Sequence, residues 1–132
     1  MQTRYVKHSG AVFNLKYHLV WCPKYRRRVL VDIIANRLVT LLQEKASEFQ
    51  ISIEAIEIMP DHVHLFVSSD PTLCVAEIVN RFKGYTSRIL RQEFKELRTK
   101  LPTLWSRSYF AGTVGCVTEA AIKQYIENQK GK

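Results

Sequence analysis

Two alternating segments limit what this chain can become. In AVFNLKYHLVWC (Ala11 to Cys22) and in HVHLFVS (His62 to Ser68), every second residue is apolar. Period two belongs to a strand with one face in a core and the other outside it. Phe13, Leu15, Tyr17, Leu19 and Trp21 share one face of the first segment, and Asn14, Lys16 and His18 share the other. In the second, Val63, Leu65 and Val67 face one way, and His62 and His64 face the other.

The remaining segments complete a pattern. Asp32 is placed to cap a helix reaching about Phe49, with Ile34, Leu38, Leu41, Leu42 and Phe49 as its apolar stripe. ISIEAIEIM, Ile51 to Met59, reads as a strand, and Pro60-Asp61 as the turn into HVHLFVS. Pro71 precedes a long helix from about Leu73 to Arg98. SYFAGTVGCV, from Ser108, reads as a last strand weakened by Gly112 and Gly115. Thr118 is a plausible N-cap for a final helix, Glu119 to Lys130. The order β-α-β-β-α-β predicts an α+β, ferredoxin-like antiparallel sheet with an additional C-terminal helix. Both long helices are expected on one face, leaving Asn14, Lys16, His18, His62 and His64 on the other. The 132 residues suit one domain, with residues 1–10 as a basic arm.

Lys and Arg total 20 against 12 Asp and Glu, a net charge of +8, which favours a polyanionic partner. Cys22, Cys74 and Cys116 are odd in number and form no CxxC. They argue against a disulfide framework or zinc knuckle and suit a reducing, cytoplasmic setting. Neither a run of 18 apolar residues nor a signal-peptide core occurs, so a soluble protein without membrane contact is expected.

Residues i and i+2 of a strand lie roughly 6.6 Å apart on one side. Two imidazoles can converge from there on one ion, since metal–nitrogen bonds run about 2.1 Å. Two exposed or hydrogen-bonded histidines fit the same pattern, and two ligands are too few for a hard divalent ion. In the last helix Tyr125 and Gln129 are i and i+4 and share one face.

Together these residues resemble a family. His62-Val63-His64 looks like the HUH motif, two histidines flanking a hydrophobic residue. Tyr125 with Gln129 near the C-terminus looks like the single-tyrosine HUH transposases of insertion sequences that move as single-stranded DNA. YHLVWCPKYRRRVL, MPDHVHLFVS and FKGYTSR are also similar to that family, so the likeness covers about Gly10 to Lys130. It implies that His62, His64 and Gln129 bind one Mg²⁺ or Mn²⁺, and that Tyr125 attacks phosphorus to give a 5′-phosphotyrosine and a free 3′-hydroxyl. It further implies a homodimer acting on single-stranded DNA with hairpin ends, the last helix docking in cis or in trans. No nucleotide cofactor is implied, and no P-loop occurs. A domesticated relative cutting repeated palindromes is an alternative. So is a non-catalytic nucleic-acid-binding domain, although that usually shows aromatics on its open sheet face.

For DNA contact, Lys24, Arg26, Arg27 and Arg28 cluster in PKYRRR, after the breaker Pro23. Arg81, Arg88, Arg91, Lys95 and Arg98 fall in one sector of the second helix, with Gly84 among them. Tyr25, Tyr85, Trp105 and Tyr109 are candidates for stacking on unpaired bases.

Overall fold

The computed structural model describes residues 6–8, 11–13, 15–113, 115 and 117–132, with side chains from residue 15 onward. Its strands are β1 (Val6–His8), β2 (Ala11–Phe13), β3 (Leu15–Trp21), β4 (Ser52–Met59), β5 (His62–Ser69) and β6 (Phe110–Thr113). Its helices are α1 (Asp32–Glu48), α2 (Val75–Glu93), α3 (Lys95–Thr99) and α4 (Glu119–Glu127), with one 3-10 turn over Lys24–Arg26. Among the described residues β1 and β2 pair only with each other, so part of the expected arm is a strand. The side chains of Phe13 and Asn14 and the whole of Cys116 lie outside the described residues.

The main sheet has the order β4-β5-β3-β6 and is antiparallel throughout. Two βαβ units therefore interlock: β3-α1-β4 straddles β5, and β5-α2-β6 straddles β3. This is the expected α+β split arrangement. Leu19 and Trp21 of β3 and Val63, Leu65 and Val67 of β5 are buried under α1 and α2, against Leu38, Leu41, Leu42, Ile78, Val79 and Phe82. The Trp21 ring stacks on Phe82 and meets Trp105 edge-on.

The opposite face carries His18, Val20, His62, His64 and Phe66. It is less polar than the alternation implied, because Val20 and Phe66 are buried there. Helix α4 lies over part of it, with the Tyr125 ring 5.9 Å from that of Phe110. Thr118 caps α4 as expected, its hydroxyl accepting from the Ala121 amide at 3.1 Å.

Three boundaries differ from expectation. Asp32 does not cap α1: it sits at φ +52°, and the first amides bond the Val31 carbonyl instead. The second helix is not continuous to Arg98. Phe94 is extended (φ −120°, ψ 102°), which turns Leu97 into the core as α3 begins. Arg98 donates to the carbonyls of Arg91 and Gln92 that the break frees. The last helix ends at Glu127, and Gln129 stands in the turn beyond it.

Gly112 pairs with His18 and faces the same side. A Cβ there would overlap the Val117 side chain, which lies over it where the chain approaches α4. Gly112→Val should therefore lower stability by about 1–3 kcal/mol through overpacking. Thermal or urea unfolding reads this directly, and an unchanged midpoint would show that the crossing is loose.

Candidate active site

β5 is hydrogen-bonded on both sides, so its backbone, and with it the direction of each side chain, is fixed. His62 opens the strand after the Pro60-Asp61 turn. Its Nδ1 lies 2.9 Å from Asp61 Oδ1, so Nδ1–H donates to the carboxylate and Nε2 is the nitrogen left for another partner. His64 Nε2 lies 3.0 Å from Nδ1 of His18 on the neighbouring strand. Burial holds both of these rings below the ordinary histidine range, and His18 adds to the effect on His64. Both are therefore neutral at pH 7, and one donates to the other.

His62 and His64 line a cavity of about 370 Å³ together with Glu57 and Met59 of β4. The other wall is α4, through Glu119, Ile122, Lys123 and Ile126. A second cavity of about 230 Å³ lies between His18, His64, Glu57 and Phe66. The larger opening, about 700 Å³ beside α1 and β4, contains none of these histidines.

Tyr125 and Gln129 meet at Ser108. The Tyr125 hydroxyl lies 2.8 Å from Ser108 Oγ, and Ser108 donates to Gln129 Oε1 at 2.8 Å. With that proton committed, the phenol O–H is the donor to Ser108. Gln129 is buried, not solvated. Burial pushes the Tyr125 phenol up to about 12. The hydrogen bonds of the histidines thus run to His18 and Asp61, while those of Tyr125 and Gln129 run to Ser108. Among the described residues no three His, Cys, Asp or Glu side chains gather closely enough to hold a metal.

Ser108 is itself gripped from α2. Lys83 Nζ donates to the carbonyls of Ser106 (2.7 Å) and Ser108 (3.2 Å). Three residues back, Trp105 Nε1 donates to Thr86 Oγ1 at 3.1 Å. Sequence reasoning missed Ser108, Lys83, Asp61 and Glu57 as site residues. Asp61 beside His62 was the one readable signal. The others act through contacts between distant segments.

The basic candidates divide. Arg27 and Arg28 are exposed, and Lys24 and Arg27 flank the exposed Tyr25 ring at 5.2 and 6.0 Å. Arg26 turns inward, to Asp61 and α4. Arg81 pairs with Glu77, Arg88 lies over the Tyr85 ring, and Lys95 is exposed on α3. Arg91 donates to the carbonyls of Leu101 and Pro102. Helices α1 and α2 lie on the sheet face away from the histidines. Gly84 has open space around it. Trp105 is buried, Tyr109 packs on the core, and Tyr85 donates to Glu44. Cys22 and Cys74 are free thiols. Among the described residues no helix is long and apolar enough to cross a membrane.

A split βαβ sheet with paired histidines on a central strand and a tyrosine on a C-terminal helix defines a class, and comparison with known proteins gives the same one. Residues 11–129 match the family model for IS200-like transposases, and the chain belongs to that family. It is 39% identical over 128 residues to the ISDra2 transposase TnpA of Deinococcus radiodurans, spanning 96% of this chain and 91% of that one. It is 31% identical to the transposase for insertion sequence element IS200 of Salmonella typhimurium, over 89% and 78% of the two chains. A crystal structure of a protein assigned as a transposase from D. radiodurans R1 superposes with a TM-score of 0.89 at 39% identity, covering 96% of this chain and 99% of that one. A REP-associated tyrosine transposase bound to a REP hairpin shares the fold, with a TM-score of 0.57 at 11% identity over 96% and 67% of the chains.

Burial pushes the Lys83 ammonium down to about 8, while lysines in an unfolded chain titrate near ~10.4. Between those values the unfolded state holds more protons, so this group's contribution to stability rises with pH across the window. NMR of ¹³Cε-labelled lysines should show one amine titrating near 8, absent in Lys83→Met. Lysines all titrating together above 10 would place Lys83 in water.

Proposed function

We propose that this transposase cleaves and rejoins single-stranded DNA through a covalent link to Tyr125. The observation that carries this reading is the cavity between the histidines and helix α4, which Tyr125 and Gln129 do not themselves line. Its sheet wall bears His62 and His64, and its other wall is the helix that bears Tyr125.

The donor chemistry fits a divalent cation. His64 is neutral, and Asp61 fixes the His62 ring with Nε2 free. Gln129 offers an uncharged oxygen. His62, His64 and Gln129 would hold Mg²⁺ or Mn²⁺, which when bound supplies Lewis-acid polarisation of the scissile phosphate. The rest of the chemistry belongs to side chains. The Tyr125 oxygen gives its proton to solvent water and forms a bond to phosphorus, as the in-line bond from phosphorus to the 3′-oxygen breaks; that oxygen takes a proton from water and leaves as the 3′-hydroxyl. Phosphorus keeps its bond to the 5′-oxygen, giving a 5′-phosphotyrosine. With its phenol near 12, Tyr125 is a poor nucleophile at pH 7 until its proton is removed. Ser108 accepts that hydrogen bond and orients the proton away from the attacking lone pairs. The covalent link conserves the phosphodiester energy, so a 3′-hydroxyl can reverse the step without a nucleotide cofactor.

The net charge of +8 suits a DNA partner. Lys24, Tyr25 and Arg27 present a cation–aromatic–cation surface suited to unpaired bases and phosphates. DNA with hairpin ends is the proposed substrate and a homodimer the proposed assembly. The 39% identity to the ISDra2 transposase over nearly both whole chains favours an insertion-sequence transposase over a domesticated relative.

Labelled single-stranded hairpin DNA with Mn²⁺ should give an adduct that survives SDS, is lost with EDTA and is absent in Tyr125→Phe. An undiminished adduct in Tyr125→Phe would remove Tyr125 as the nucleophile. His64→Ala should lower adduct formation on the order of 100-fold with little change in DNA binding. Equal loss of both would make the histidine structural.

A further inference from the structure

Helix α4 has a weak hold of its own. It spans nine residues and none of them is fully buried. A helix this short is marginal in isolation, so its position depends on what grips it. One grip is Ser108, near Tyr125. The other comes from the opposite side of the site. Arg26 Nη1 donates to the Ile126 carbonyl at 3.2 Å and lies 3.7 Å from the Glu127 carboxylate. The same carbonyl accepts the Gln129 amide at 3.0 Å, so Arg26 is joined directly to the turn that carries Gln129. A guanidinium at a helix C-terminus also opposes the negative end of the helix dipole.

The other edge of that guanidinium faces the histidines. Arg26 Nε lies 3.5 Å from Asp61 Oδ2, and the other oxygen of Asp61 accepts the hydrogen bond from His62 Nδ1. One side chain therefore spans the helix that bears Tyr125 and the carboxylate that orients His62. The backbone is bent to allow it. Tyr25 and Arg26 are successive left-handed residues, with φ of 60° and 53°, a conformation unfavourable for any residue with a Cβ. Bonds from Arg26 N to Pro23 O and from Lys24 N to Leu104 O, 2.8 Å each, hold the turn.

We propose that Arg26 is a positioning residue that couples the docking of α4 to the orientation of His62, an inference that rests on reading these groups as the active site. With α4 docked, Arg26 shares its charge between Asp61 and the helix end. With α4 displaced, Asp61 faces the whole of the Arg26 charge, which weakens its hold on the His62 Nδ1–H.

Amide exchange by mass spectrometry and Mn²⁺ binding by electron paramagnetic resonance test this on the intact protein without DNA. In Arg26→Ala, exchange in residues 119–129 should rise about 10-fold or more while the β3–β5 core stays protected. Mn²⁺ affinity should fall about 10- to 100-fold. Arg26→Lys keeps the charge but not the fork, and should recover only part of each. Glu127→Gln lies on the surface and leaves the core intact. It should speed exchange in the same residues to a smaller degree, which keeps the test decisive if Arg26→Ala fails to fold. Unchanged α4 exchange in the Arg26 and Glu127 variants would overturn the proposal. So would a loosened helix with unchanged Mn²⁺ affinity. A wild-type protein that binds no Mn²⁺ would overturn the metal reading instead, and exchange would still decide whether Arg26 holds the helix.

Discussion

Strand β5 serves both faces of the sheet at once, and everything else in the molecule is arranged around that. Paired on one side with β4 and on the other with β3, it has no freedom to slip. A shift of one residue would exchange Val63, Leu65 and Val67 for His62, His64 and Phe66, putting imidazoles under the helices. The core therefore enforces the site: the residues that bury the inner face fix where the histidines stand on the outer one. The same register brings His18 of β3 within 3.0 Å of His64 and sets Glu57 of β4 opposite it.

The outer face works through partial burial in a strongly basic chain. Withdrawal from water keeps His18 and His64 neutral and Tyr125 protonated. The helix above them is held by polar contacts from both sides. Lys83 fixes the Ser108 segment that meets Tyr125 and Gln129, and Arg26 bridges Asp61 to the end of α4. No side chain of α4 is fully buried, so these polar contacts carry much of its attachment.

What could be read from the sequence was what the backbone dictates. Period two in β3 and β5, the stripes of α1 and α2 and the Thr118 cap follow from local geometry, and the split βαβ order follows from their succession. His18, His62 and His64 were assigned to the correct face for the same reason. The break at Phe94 was invisible because no Gly or Pro marks it; the pull of Leu97 and Leu101 into the core makes it. Ser108, Lys83 and Arg26 were equally hidden as a network. Ser108 lies 17 and 21 residues from its partners, and Arg26 lies 100 from Ile126, so only the folded sheet brings them together. Arg26 carried the charge expected of a phosphate contact, yet it points inward because its left-handed turn aims it there.

The central claim is that the histidines of β5 and the residues of α4 form one site around one ion. Paramagnetic broadening by Mn²⁺ in the ¹⁵N-labelled protein tests it most directly. Signals of His62 and His64 and the side-chain amide of Gln129 should broaden together at substoichiometric Mn²⁺, and in His64→Ala those of His62 and Gln129 should stay sharp. Broadening confined to the exposed acidic side chains, with the Gln129 amide sharp, would contradict the claim.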